Sequence, residues 1–182
     1  MFKKIITIFF ILSSAIIFAE PGAWKQLGNK GEWAATIAGA VIGDKLYTVE
    51  SSGILYVTDT KTGKWNSIGK AEFAATVFMF ACGNNLLTIE KDGSLYLVNP
   101  ENGTWKQLGN KGEWAATIAG AVIGDKLYTV ESSGILYVTD TKTGKWNSIG
   151  KAEFAATVFM FACGNNLLTI EKDGSLYSIE TK

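Results

Sequence analysis

The chain contains no histidine and no arginine; all 17 of its basic residues are lysines. Without histidine it lacks the commonest general base and the commonest metal ligand. A Ser-His-Asp or Cys-His site is therefore impossible within one chain, although chemistry on a pair of carboxylates stays open. Without arginine it lacks the main side chain for reading nucleic-acid bases. The 17 lysines face 17 acids, so there is no basic excess for binding phosphate. Cysteine is scarce as well, at two residues, Cys82 and Cys163. These absences favour a protein without catalysis and without a cofactor or metal, and exclude nucleic acid as a partner.

The first residues read as a leader. Lys3 and Lys4 precede an apolar run from Ile5 to Ile17, and Ala19 stands just before Glu20-Pro21-Gly22. That is the layout of a signal peptide over residues 1–19, with the mature domain at 20–182. The run is too short for a membrane anchor, which needs about 20 apolar residues. The expected location is secreted or periplasmic, with no stable membrane span once the leader is removed.

An internal repeat dominates the mature chain. Trp24 to Tyr96 is identical, residue for residue, to Trp105 to Tyr177, at an offset of 81. Each of these units is itself a diverged pair. Trp24-Lys-Gln-Leu-Gly28 corresponds to Trp65-Asn-Ser-Ile-Gly69, and Gly53-Ile-Leu-Tyr56 to Gly93-Ser-Leu-Tyr96. The chain thus carries four copies of a 40–41-residue repeat, at roughly 24–64, 65–104, 105–145 and 146–182.

Each copy reads as four short strands. In the first copy these are Thr36 to Ile42, Lys45 to Glu50, Ile54 to Thr58 and Lys64 to Ile68. Gly43-Asp44, Ser51-Ser52-Gly53 and Thr60-Lys61-Thr62-Gly63 lie between them as turns. No stretch keeps a helical period. Four antiparallel strands per 40-odd residues predict an all-β, four-bladed β-propeller. The repeat begins with a fourth strand at Trp24 and ends after a third strand. The spare N-terminal strand is expected to dock on the last blade and close the ring, removing two open edges. The first strands alternate between small and large, Ala38-Gly39-Ala40 against Phe78-Met79-Phe80, which lets bulk from one blade fill space left by its neighbour.

The W-x-x-[LI]-G motif, recurring some 40 residues apart and followed by G-x-L-Y, resembles the repeats of tectonin and tachylectin propellers. The resemblance covers Trp24 to the C-terminus. It implies carbohydrate binding, with a site in each blade or blade junction.

Two sets of aromatic residues recur. Trp24, Trp65, Trp105 and Trp146 are expected in the core, as the anchor of each blade, with ligand stacking as the alternative. Trp33, Phe73, Trp114 and Phe154 fall in the connections between blades, where propellers carry function. With the preceding acids they give the candidate ligand-binding residues Glu32, Trp33, Glu72, Phe73, Glu113, Trp114, Glu153 and Phe154. An aromatic face suits the apolar side of a sugar, and a carboxylate accepts hydrogen bonds from its hydroxyls. The alternative is that these rings are plugs between blades. Glu50, Glu90, Glu131 and Glu171 end the second strands and are expected to accept hydrogen bonds or be solvated. Cys82 and Cys163 fall in opposite blades, beyond the reach of a disulfide, and are expected to be buried free thiols. The function expected is non-catalytic glycan binding; the alternative is a structural or protein-docking propeller with no small ligand. The expected partners are glycans or a surface protein, and the expected assembly is a monomer or homodimer.

Overall fold

The computed structural model describes residues 21–181. The expected leader and the expected mature start at Glu20 lie outside them. Among the described residues there is no helix, hence none long and apolar enough to cross a membrane.

Fifteen strands form four antiparallel sheets, the blades of a four-bladed β-propeller. Blade one is β1 (Thr36–Ile42), β2 (Lys45–Glu50), β3 (Leu55–Asp59) and β4 (Trp65–Ile68). Blade two is β5 (Thr76–Cys82), β6 (Asn85–Glu90), β7 (Leu95–Val98) and β8 (Trp105–Leu108). Blade three is β9 (Thr117–Ile123), β10 (Lys126–Glu131), β11 (Leu136–Asp140) and β12 (Trp146–Ile149). Blade four is β13 (Thr157–Cys163), β14 (Asn166–Glu171) and β15 (Leu176–Glu180). Every blade is a simple meander, as expected of runs joined by short turns.

The turns explain the register. Ile42 pairs with Lys45, so Gly43-Asp44 is a two-residue hairpin loop, and Gly43 supplies the positive φ it needs. In the third turn Asp59 Oδ1 accepts hydrogen bonds from the backbone N–H groups of Lys61 and Thr62, at 3.0 and 2.9 Å.

The blades pack through three apolar cores. Val49, Leu55 and Ile68 of blade one meet Met79 and Leu86 of blade two, with Phe73 between them. Leu95 and Leu108 of blade two meet Leu127 of blade three around Trp114. Blade three meets blade four through Val130, Leu136, Met160 and Leu167. The first strands lie innermost and side by side, β1 with β5, β5 with β9 and β9 with β13. Their alternation in size is used. Met79 packs near Ala38 and Ala40, and a Cβ at Gly120 would come within 2.9 Å of Phe80 Cζ.

Each junction also has a backbone clasp. The N–H groups of Phe73, Trp114 and Phe154 donate to the carbonyls of Gly53, Gly93 and Gly134 of the preceding blade, at 3.0 to 3.1 Å. These glycines are close-approach positions; a Cβ on Gly93 would lie 2.5 Å from Ala115 N. The fourth junction is different. Gly174, at the matching place in blade four, has nothing within 4 Å of where its Cβ would be.

Two expectations are corrected by the fold. Residues 24–28 do not form a strand, and β15 has no fourth neighbour among the described residues. The physical reason is that a strand needs a ladder, and the edge of β15 is not brought to this segment. Instead Leu27-Gly28 sits on Gly63 of blade one, just as Leu108-Gly109 sits on Gly144 of blade three. The cysteines are both free, but only Cys82 is buried; Cys163 is exposed. Cys82 lies at the formed junction between blades two and three, with its sulfur 3.4 Å from Thr141 Oγ1. Cys163 faces the junction that is not formed.

Candidate functional site

Alternation along each outer strand decides which side chains reach the surface. Ile68 pairs with Leu55, and both are buried toward the next blade. Trp65 is three residues before Ile68, so it projects from the opposite face of the pleat. The result reverses the expected role of this set. Trp65, Trp105 and Trp146 are 43, 46 and 41% exposed, and Trp24 is 90% exposed. None is a core anchor.

Each of the three blade tryptophans lies edge-on to a tyrosine of the neighbouring strand. The centroids of Trp105 and Tyr96 are 4.7 Å apart at 67°. Trp65 with Tyr56 and Trp146 with Tyr137 are both at 5.2 Å, and nearly perpendicular. An acid from the preceding connection completes the group. Trp105 Nε1 donates to Glu72 Oε2 at 3.0 Å. Glu32 and Glu113 lie close to Trp65 and Trp146 in the same way.

The sequence-selected residues divide in two. The four acids are at the surface: Glu72 and Glu153 are exposed, Glu32 and Glu113 half-buried. The rings beside them mostly turn inward. Phe73 and Trp114 are each only 3% exposed, within the cores between blades, while Trp33 and Phe154 are half-buried. The backbone clasp explains this, because fixing the N–H of this residue on the preceding blade directs its ring into the junction. Trp33 Nε1 also donates to Thr58 Oγ1 at 3.3 Å.

The acids are held charged in blades one and three. Glu32 Oε2 accepts from the Asn29 N–H at 2.6 Å, and Oε1 from Asn29 Nδ2 at 2.8 Å. Glu113 is held the same way by Asn110. These amides pull both carboxyls below the usual range. In blade two no asparagine stands there, and Glu72 is left to Trp105.

A second acid lies deeper. Glu90 and Glu171 are buried, and each accepts a hydrogen bond from a threonine hydroxyl, Thr76 at 2.8 Å and Thr157 at 2.7 Å. Burial pushes the Glu90 carboxyl up. Asp92, in the adjoining turn, is exposed and bridges to Lys111 of blade three at 3.0 Å. Its carboxyl is held down by that lysine and by Ser94.

Together these groups line a cleft in blades two, three and four. In blade two, Glu72, Phe73, Glu90, Asp92, Tyr96 and Trp105 enclose about 210 Å³. In blade three, Glu113, Trp114, Glu131, Tyr137 and Trp146 nearly close on each other. In blade four, Glu153, Phe154, Glu171, Asp173 and Tyr177 bound a wider space of about 370 Å³, because no tryptophan covers it. No group of three or more acids or cysteines among the described residues is arranged to hold a metal ion. The cleft offers a ring edge or face, a phenol and fixed carboxylates, groups that can pack on apolar area and accept hydrogen bonds.

No protein-family model matches the chain, and no curated protein matches it in sequence. Among solved structures it resembles the computationally designed Ika4 protein at TM-score 0.64 and 16% identity, over 88% of this chain and 99% of that one. It resembles the designed Ika8 protein at TM-score 0.57 and 17% identity, over 80% of this chain and 45% of that one. For BamB from Moraxella catarrhalis the TM-score is also 0.57, at 16% identity, over 79% and 44%. The chain thus spans less than half the length of the latter two. At these identities the likeness is one of fold, and it places the chain among the β-propeller proteins.

Proposed function

We propose that this chain is a non-catalytic, exported binding propeller whose repeated clefts take glycans. The observation that carries the reading is the surface tryptophan set edge-on to a tyrosine beside a glutamate, repeated in three blades. A half-exposed tryptophan fixed by two neighbours offers apolar area to a sugar ring at little cost in side-chain entropy. The carboxylates beside it accept hydroxyl hydrogen bonds. The resemblance to tectonin and tachylectin repeats supports the same ligand class and rests on the same tryptophan motif. Several clefts on one rigid body suit weak single-site binding strengthened by avidity on a surface dense in ligand.

The test is a panel of multivalent glycans, probed with the parent chain and with a triple variant, Trp65→Ala, Trp105→Ala and Trp146→Ala. Binding by the parent and its loss in a variant that still unfolds cooperatively, with no more destabilisation than three surface changes give, supports the reading. Absence of any glycan binding by the parent, in a panel that includes acidic and neutral sugars, would sink it. A protein-docking propeller would then be the better account.

A further inference from the structure

We propose that two copies of this chain close each other's open ends. Blade four of each copy packs on blade one of the other, and residues 24–28 of each copy add the missing fourth strand to the other's β15. This closure does not depend on what the clefts bind.

The two open faces are of the kinds that already form a junction elsewhere in the molecule. Blade four repeats the sequence of blade two up to Tyr177, and blade one repeats blade three. Blades two and three pack through Leu95, Leu108, Trp114 and Leu127. The same residue types are present on the open faces, and uncovered there. Leu95 is fully buried, whereas its equivalent Leu176 is 64% exposed. Phe80 lies over Gly120, whereas its equivalent Phe161 is 49% exposed. An exposed apolar patch of this kind marks an interaction surface.

Among the described residues, moreover, blade four forms no clasp with blade one. Three junctions are formed with the same clasp, and after them Gly174 still meets nothing. Leu27-Gly28 is fixed to Gly63 and stays with blade one. Closing on itself would require three packed junctions to change their angle together, and packed interfaces resist such change. A second copy leaves all three as they are. Because the contact is head to tail, a closing rotation uses every open end and ends the assembly.

The cleft of blade four is also incomplete. It has the acids, phenylalanine and tyrosine of the blade-two cleft, but no counterpart of Trp105. Trp24 is that counterpart in the repeat, and it is the most exposed large apolar side chain among the described residues. The register of β7 on β8 sets Leu95 opposite Leu108 and Leu97 opposite Lys106. By repetition, Leu176 of one copy falls opposite Leu27 of the other, Ser178 opposite Lys25, and Trp24 covers the incomplete cleft.

Light scattering and analytical sedimentation of the exported chain test this directly. The expected result is twice the mass of one chain; a single-chain mass, or an open series of larger species, overturns it. A second measurement separates exchange between copies from closure within one. Lys25→Cys and Ser178→Cys are placed in one chain together with Cys163→Ser, and the protein is oxidised. Exchange gives a disulfide-linked pair of chains on a non-reducing gel. Cross-linking confined to single chains shows self-closure and overturns the proposal even if the native mass is doubled by some other contact. Neither readout involves a glycan, so failure here and failure of the binding reading are distinguishable.

Discussion

Trp105 Nε1 reaches Glu72 Oε2 across 33 residues of chain, at 3.0 Å. The bond ties the outermost strand of blade two to the connection that enters that blade. With Tyr96 against its edge, the indole is held from two sides while nearly half of it stays in solvent. A ring so placed contributes less to folding than a buried one. Trp114 stands in the opposite position, buried between blades two and three.

The two tryptophans should therefore separate binding from stability. Trp105→Ala is expected to cost about 1 kcal/mol or less, as a largely surface change. Trp114→Ala is expected to cost about 3–5 kcal/mol, the range for deleting a buried large ring. Urea or thermal melts of the two variants measure this. Equal losses would mean that Trp105 is a structural residue after all.

The repeat, the four blades and the strand limits from Thr36 onward are legible in the sequence, because hydrophobic alternation and glycine turns are local signals; the strand expected at Trp24 is the exception. The strands expected at Ile54 to Thr58 and Lys64 to Ile68 lie within one residue of β3 and β4. The roles of the two aromatic sets are less plain, since burial depends on which face meets the next blade. A parity signal for one set is nevertheless present. Trp65 and Ile68 cannot share a face of one strand, and the leucine or isoleucine of W-x-x-[LI]-G is the residue that repeats as core. Burial of Phe73 and Trp114 has no such signal. It follows from the clasp to Gly53 and Gly93, a contact between blades that no local pattern encodes. The open fourth junction depends on the angle between blades, which is set by the summed packing of three interfaces.

Glu90 supplies a test by pH. Burial raises its carboxyl in the folded chain above the ordinary value, so ionisation works against folding. Its contribution is most favourable below the unfolded value and is lost as pH rises through the folded one. Glu90→Gln retains an acceptor for the Thr76 hydroxyl and removes the buried charge. The variant is expected to melt higher than the parent at pH 7 and to differ little at pH 4. A lower melting temperature at pH 7 would show that the charged form is needed.

Glu113 has the opposite sign. The Asn110 amides lower its carboxyl in the folded chain. Stability from this contact is present above the unfolded value, near 4.5, and is lost as pH falls through the folded one. Glu113→Gln should lower the melting temperature slightly at pH 7, by an amount that shrinks as the pH is lowered through the folded value. The group is only half-buried, so solvent screening keeps the loss below about 1 kcal/mol. A difference that persists unchanged at pH 3 would mean that the contact does not act through charge.

The cysteines report on the open junction without any change of sequence. Cys82 and Cys163 occupy equivalent places in blades two and four, so their unlike exposure comes only from their neighbours. Cys82 is covered by blade three and contacts Thr141. In a closed pair of chains, Cys163 would be covered by blade one of the other copy and would face its Thr60 in the same way. A thiol reagent that attacks only accessible thiolates then gives two distinct results. In concentrated solution both cysteines should react slowly, at the rate of opening of the folded chain. On dilution below the dissociation constant of the pair, one thiol per chain should become fast, and peptide mapping should identify it as Cys163. Cys82 should remain slow until the chain unfolds. Fast labelling of Cys163 at every concentration would mean that blade four keeps an open face in solution. Slow labelling of both at every dilution, with a single-chain mass, would mean that the chain covers its own end. Each outcome is read from the ratio of two rates within one molecule, which cancels differences in reagent, pH and temperature.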